Sequence, residues 1–167
     1  MKTLKTLGAM CLLATILFSC SSDDSGGGSN SGGFSLTAKV NGANYSNSNY
    51  FDPMAVITNN ILVIQSSDNG GNSIQIQVMN YNGVGSYTSG NNNLMAGYIN
   101  YLKAGATVGQ FKTFTSVRGD GLVEITEVTD TYVKGTFSAT APENVSNSTE
   151  SVEITEGTFK AKIQTAQ

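Results

Sequence analysis

From Phe34 onward, apolar and polar residues alternate one by one, the two-residue period of a strand with one face in a core. Phe34, Leu36, Ala38 and Val40 alternate with Ser35, Thr37 and Lys39, and Asn41-Gly42 then turns the chain back through residues 43–45. An Asn-Gly pair accepts the left-handed backbone of a two-residue hairpin turn. Residues 54–58 and 61–65 flank Asn59-Asn60, which predicts a second hairpin. Ile61-Leu62-Val63-Ile64 is apolar at both parities, so this strand is expected to be central and covered on each side. Residues 68–72 turn into Ile74, Ile76 and Val78, with Gln75, Gln77 and Met79 on the other face. Residues 83–90 and the Asn run after them read as a looser stretch. Residues 94–104 read as an aromatic strand or a short helix, Gly97 favouring strand.

Beyond residue 110 the pattern continues through 111–117, a tight Arg118-Gly119-Asp120-Gly121 turn, and Val123 and Ile125. After a turn at Asp130 come Val133, Gly135, Phe137 and Ala139, then a polar loop over 142–151. The last strand changes parity, since Val152 and Ile154 are even while Phe159, Ala161 and Ile163 are odd. Side chains alternate strictly along a strand, so one extra residue must be absorbed. This predicts a β-bulge over 155–158 at Glu156-Gly157, with the glycine supplying the unusual dihedrals. The segment VEITE occurs at 123–127 and 152–156, and Gly-Thr-Phe follows each, at 135–137 and 157–159. Two copies without a fixed period exclude a solenoid and suggest two strands of the same chemistry in a terminal hairpin pair.

The pattern predicts an all-β domain over residues 34–167, an antiparallel meander of about 8–10 strands forming a barrel or flattened sandwich. Composition agrees, because Gly, Ser, Thr and Asn make up 73 of the 167 residues and charged residues only 13%. The chain has no His, which removes Ser-His-Asp and Cys-His catalysis and every His-ligated metal site. A net charge of −3 gives no basic patch for nucleic acid. No cofactor is expected.

The amino terminus reads as an address. Lys2 and Lys5 precede an uncharged, mostly apolar run over residues 7–18, too short to span a bilayer and of the length of a secretory signal. Leu17-Phe18-Ser19-Cys20 resembles the lipobox of bacterial lipoproteins, with Phe18 larger than the residue usual at that position. The resemblance implies cleavage after residue 19 and acylation of Cys20. Two or three acyl chains anchor stably where one does not. Ser22, Asp23 and Asp24 resemble the surface-export signal of Bacteroidota lipoproteins. Residues 20–33 then form the lipidated Cys and a Ser/Gly tether, a random coil of about 20 Å root-mean-square length.

Val40-Asn41-Gly42, Gly85-Ser86-Tyr87 and the two Gly-Thr-Phe segments extend this resemblance to small Bacteroidota surface lipoproteins with a lipocalin-like β domain. It implies a lipid-anchored outer-membrane protein, exposed at the cell surface, with the membrane as one partner through Cys20. No other functional residue carries over.

Candidate chemistry in the domain is sparse. Tyr45, Tyr50, Phe51, Tyr81, Tyr87, Tyr98 and Tyr101 make its first half aromatic, and Tyr81, Tyr87, Tyr98 and Tyr101 are the residues expected to face a ligand. Arg118-Gly119-Asp120 matches an integrin-ligand tripeptide but reads as turn chemistry. Asp68, Asn69 and Asn72 lack the acidic pattern of a calcium loop. Glu124, Glu127, Glu153 and Glu156 raise a two-carboxylate hydrolase, yet their positions suggest the wet face of strands. The expected function is therefore non-catalytic: binding or accessory work, with a small apolar or glycan ligand or a surface protein as partner. The alternative is a structural or adhesive module without a pocket. An interior cavity would favour capture, and a filled core with an exposed patch would favour adhesion.

Overall fold

A computed structural model describes residues 33–90 and 97–164. Cys20, Ser22, Asp23 and Asp24, and the first three residues of the 94–104 segment, lie outside the described residues.

Among the described residues eleven strands form one curled sheet, a half-barrel, where eight to ten were expected. Ser35–Val40 (β1) and Ala43–Ser46 (β2) make the first hairpin, with Asn41 and Gly42 both at positive φ. Met54–Thr58 (β3) and Ile61–Ser67 (β4) make the second, again with both turn residues, Asn59 and Asn60, at positive φ. Ser73–Val78 (β5) pairs with β4 and with Gly97–Ala104 (β7), so the ambiguous segment is a strand wherever it is described. Gly85–Gly90 (β6), expected to be loose, is a strand paired with Asp120–Val128 (β9). Its partner is distant in sequence, so no hairpin signal announces it. Phe111–Thr115 (β8) runs into a short 3-10 turn, Ser116–Arg118. Tyr132–Pro142 (β10) and Ser151–Ile163 (β11) complete the sheet.

The strand order is β6-β9-β10-β11-β3-β4-β5-β7-β8, with β1 and β2 branching from β11. Two features depart from an antiparallel meander. β3 joins β11 in parallel through Lys162 opposite Met54 and Ile163 opposite Ala55. The pairs β6–β9 and β5–β7 also skip intervening segments. Asn144 N–H donates to Thr113 O at 2.7 Å, tying β8 to the segment just after β10.

The bulge falls where the parity break requires it. Phe137 faces Gly157 but Ala139 faces Ile154, and on the other edge Thr37 faces Thr158 while Lys39 faces Thr155. Both partners thus step over one extra residue of β11. Glu156, rather than Gly157, takes the left-handed backbone, with φ of +52°. Gly157 serves another purpose: an added Cβ would lie 2.3 Å from Phe137 O and within 2.8 Å of its ring. The repeated Gly-Thr-Phe segments explain this. They pair with each other, Gly135 opposite Phe159 and Phe137 opposite Gly157, so each ring lies over the other strand's glycine. The two rings pack with centroids 6.2 Å apart. The other repeat behaves alike: a register shift after Ile125 in β9 matches the one after Ile154 in β11.

The interior is filled. Leu36, Leu62, Ile64, Ile74, Ile76, Ile99, Val123 and Val133 are fully buried, with Phe114, Phe137 and Phe159 nearly so. Aliphatic burial at about 25 cal/mol per Å² is what holds a domain that has no disulfide among its described residues. The expectation for Ile61–Ile64 is half right. β4 is central and buries Leu62 and Ile64, but Ile61 and Val63 lie half-exposed on an outer face that no second layer covers among the described residues.

Candidate ligand-binding face

The four sequence-selected tyrosines do not gather at one point. Tyr101 is in the core beside Phe114, ring centroids 6.2 Å apart. Tyr81 and Tyr87 pack on each other at 6.2 Å, half-buried. Tyr87 Oη donates to Gly83 O and accepts from Asn82 N–H, closing its own loop. Tyr81 Oη is buried without a hydrogen-bond partner among the described residues, and burial raises its pKa. Tyr98 alternates with the buried Gly97 and Ile99 and so takes the outer face.

At one end of the half-barrel, Tyr45 and Tyr101 floor a recess of about 330 Å³ edged by Asp68, Asn72 and Lys103. Asp68, Asn72 and Tyr45 in it are committed to the fold. Asp68 accepts from Gly70 N–H, Asn72 N–H and Asn72 Nδ2, at 2.8, 2.8 and 2.7 Å, and Tyr45 Oη donates to Ser66 Oγ. Burial, with a smaller contribution from the Asp68 charge, pushes the Tyr45 phenol up to about 12. A wider groove of about 470 Å³ lies outside β6, β9, β10 and β11, lined by Ser and Thr hydroxyls with Asp120 and Glu153. Those acids share a row across β10, Asp120 opposite Thr140 opposite Glu153, roughly 10 Å apart at two strand spacings. Both are exposed, and neither has the buried setting that makes a general acid. Glu124 meets Ser86 and Thr136, Glu127 meets Tyr132, and Glu156 pairs with Lys39, so these three are spent on strand-to-strand contacts. Arg118 bonds Glu143 O and Val145 O, holding a loop to the 3-10 turn. Among the described residues, no three acidic or thiol side chains gather where a metal ion could sit.

A third recess, about 370 Å³, is lined by Tyr50, Phe51, Asp52, Met54, Gln65 and Lys162, with other polar side chains. Tyr50 is 85% exposed and Phe51 73%, although an aromatic side chain gains most by burial. Their loop is nonetheless fixed. Asn47, buried, accepts from Leu36 N–H at 3.0 Å through Oδ1 and donates through Nδ2 to Ser48 O and Phe51 O. Ser48, also buried, receives Tyr50 N–H on its Oγ and sends its own N–H to Ser67 O at 2.7 Å. Two buried polar residues thus hold two rings out in water. Asp52 and Lys162 take part in no ion pair among the described residues.

This recess opens onto the uncovered outer face of β3, β4, β5 and β7. Register places Met54, Gln65, Gln75 and Asn100 in one row across the strands, and Val56, Val63, Gln77 and Tyr98 in the next. Asn100 Nδ2 donates to Gln75 Oε1 at 3.2 Å. No charged side chain lies on these outward positions. The outer face of β9, β10, β11 and β1 instead carries Glu124, Lys134, Glu153, Lys160 and Lys39. Sequence reasoning passed over Tyr50 and Phe51 because they sit in an Asn/Ser-rich loop with no period. The signal was present in the outward parity, where Gln65, Gln75, Gln77 and Asn100 replace the usual charges.

Fold and face together define a class: an all-β domain with a packed interior and a neutral, partly apolar outer sheet face beside an aromatic recess. Residues 34–161 match the family described as Domain of unknown function (DUF6252), and the chain belongs to that family. No curated protein and no solved structure matches the chain.

Proposed function

We propose that the chain is a lipid-tethered, non-catalytic binding domain at the cell surface, and that it takes its ligand on the outside of the sheet, at the Tyr50–Phe51 recess. The carrying observation is the pair of exposed rings on a loop fixed by buried Asn47 and Ser48. A loop backbone already held in place carries no ordering cost on binding, and Tyr and Phe, with two χ angles each, lose little further entropy. The packed interior supports recognition from outside rather than lipocalin-like capture within. Acylation of Cys20 tethers the domain, the 20–33 segment supplies reach, and Ser22, Asp23 and Asp24 direct it to the outer membrane surface.

Two experiments test this reading. Cys20→Ser moves the protein from the membrane fraction to the soluble one; retention of that variant in the membrane overturns the tether. Mass spectrometry of molecules retained by the mature chain from its own cells finds a ligand that Tyr50→Ala/Phe51→Ala loses. The same retained content in both proteins overturns the site. The packed core together with the exposed Val56 and Met54 also favours the adhesive alternative, in which the same face meets another protein.

A further inference from the structure

The outer face of β3, β4, β5 and β7 has no assigned role, and its chemistry restricts what it can hold. Resting on the reading above, we propose that the ligand is an extended neutral glycan, lying across these four strands from the Tyr50–Phe51 recess toward Tyr98.

Three features of the face point to this ligand. The first is the lack of charge on the outward positions of β3, β4, β5 and β7. Solvated sheet faces and edges are ordinarily protected by Lys and Glu, as on the other half of this domain. A neutral polar face neither attracts nor repels a polyanion or a cationic peptide, but it matches an uncharged polyhydroxyl chain. The second is the row of amides, Gln65, Gln75 and Asn100, with Gln77 beside it. A side-chain amide donates and accepts from adjacent atoms, which suits the alternating donors and acceptors of neighbouring sugar hydroxyls. Asn100 Nδ2 donates to Gln75 Oε1, and among the described residues no hydrogen bond occupies Asn100 Oδ1 or Gln75 Nε2. The third is spacing. Neighbouring strands lie about 4.8 Å apart, close to the advance of a pyranose along an extended chain, so successive sugars meet successive strands.

Aromatic residues stand at the two ends of the path. Tyr50 and Phe51 offer exposed rings to the apolar face of a sugar, and Tyr98 closes the second row opposite Gln77. Val56 and Val63 supply apolar contact between them. Lys162 and Asp52 at the recess each offer a charged hydrogen-bonding group to terminal hydroxyls. The filled interior puts a long ligand on the outside of the sheet, and the wider groove there is edged by Asp120 and Glu153 and offers no aromatic ring.

The test is affinity electrophoresis of the mature Cys20→Ser chain through gels holding a neutral β-glucan, a galactomannan, a dextran or polygalacturonate. At least one neutral polysaccharide is expected to retard the protein, and polygalacturonate to leave it unretarded. Tyr50→Ala/Phe51→Ala and Gln75→Ala are each expected to weaken the retarding interaction by about tenfold. Circular dichroism confirms that each variant is folded, and Glu153→Gln, on the charged half of the sheet away from the path, serves as the comparison that keeps full retardation. No retardation by any neutral gel overturns the glycan assignment, as does retardation that both variants preserve. Dimerisation of the chain through this face, seen by light scattering and lost in Val63→Glu, also overturns it. Loss of a different retained molecule in Tyr50→Ala/Phe51→Ala would leave the recess standing as a site with a ligand of another class.

Discussion

Replacing Gly135 with Ala tests the packing logic of the Gly-Thr-Phe pair at its tightest point. An added Cβ would lie 2.1 Å from Glu124 O and 2.7 Å from the Phe159 ring. The nearer obstacle is a backbone carbonyl of β9 within the paired sheet, which cannot rotate away. Inserting a methyl group into a packed region costs about 1–3 kcal/mol, and a backbone clash of this depth places the substitution near the top, at about 3 kcal/mol. For a domain of this size that lowers Tm by roughly 10 °C. Gly157→Ala meets Phe137 O at 2.3 Å and the Phe137 ring at 2.7 Å, so trimming the ring with Phe137→Leu relieves only the second contact. The assay is urea unfolding followed by far-UV circular dichroism. Gly70→Ala, whose nearest neighbour is the Asp68 Oδ1 side-chain atom at 3.3 Å, is the control and should shift stability by less than about 0.5 kcal/mol. A Gly135→Ala protein as stable as that control would refute the account of why these glycines are there.

Burial raises the Tyr45 phenol from 10.0 to about 12. Its neutral form is therefore favoured by folding, so this contribution is complete below pH 10 and is lost as pH rises toward 12. Two units correspond to about 2–3 kcal/mol, read as a steep fall in the urea midpoint over that window that Tyr45→Phe flattens. Asn47→Ala leaves the buried Leu36 N–H without its side-chain acceptor and should cost about 1–3 kcal/mol, with faster amide exchange across residues 47–53. Glu156→Val places a β-branched residue at φ of +52° and should destabilise by roughly 1–2 kcal/mol in chemical denaturation. Glu153→Val, on extended backbone nearby, should change little.

Local chemistry made the hairpins legible: Asn41-Gly42 and Asn59-Asn60 turn where their left-handed preference places them. Parity alone located the bulge, but it could not say which residue would bend. Glu156 takes the strained dihedral because Gly157 is required where Phe137 crowds the backbone. Long-range pairing was not readable, which is why β6 looked loose and the parallel join of β11 to β3 went unseen. The apolar run at Ile61–Ile64 carries the most informative difference. Hydrophobicity at both parities ordinarily means cover on both faces, and here the outer parity stays open. A rule broken without structural compensation is expected where a surface has work to do. The ligand-facing tyrosines chosen from composition are scattered between core and surface because tyrosine content does not encode which face a ring takes. Tyr98 alone of the four lies on the open outer face of β3, β4, β5 and β7.

The most direct test of that face is a residue-by-residue map of amide chemical shifts. The mature Cys20→Ser chain, labelled with nitrogen-15, would be titrated with soluble oligosaccharides of whichever neutral polysaccharide retards it. Shifts are expected to concentrate at residues 50–54, 63–65, 75–77, 98–100 and around Lys162, with β10 and residues 151–158 of β11 unmoved. Shifts centred instead on the recess of Tyr45 and Tyr101, or on the groove of Asp120 and Glu153, would contradict binding on this face.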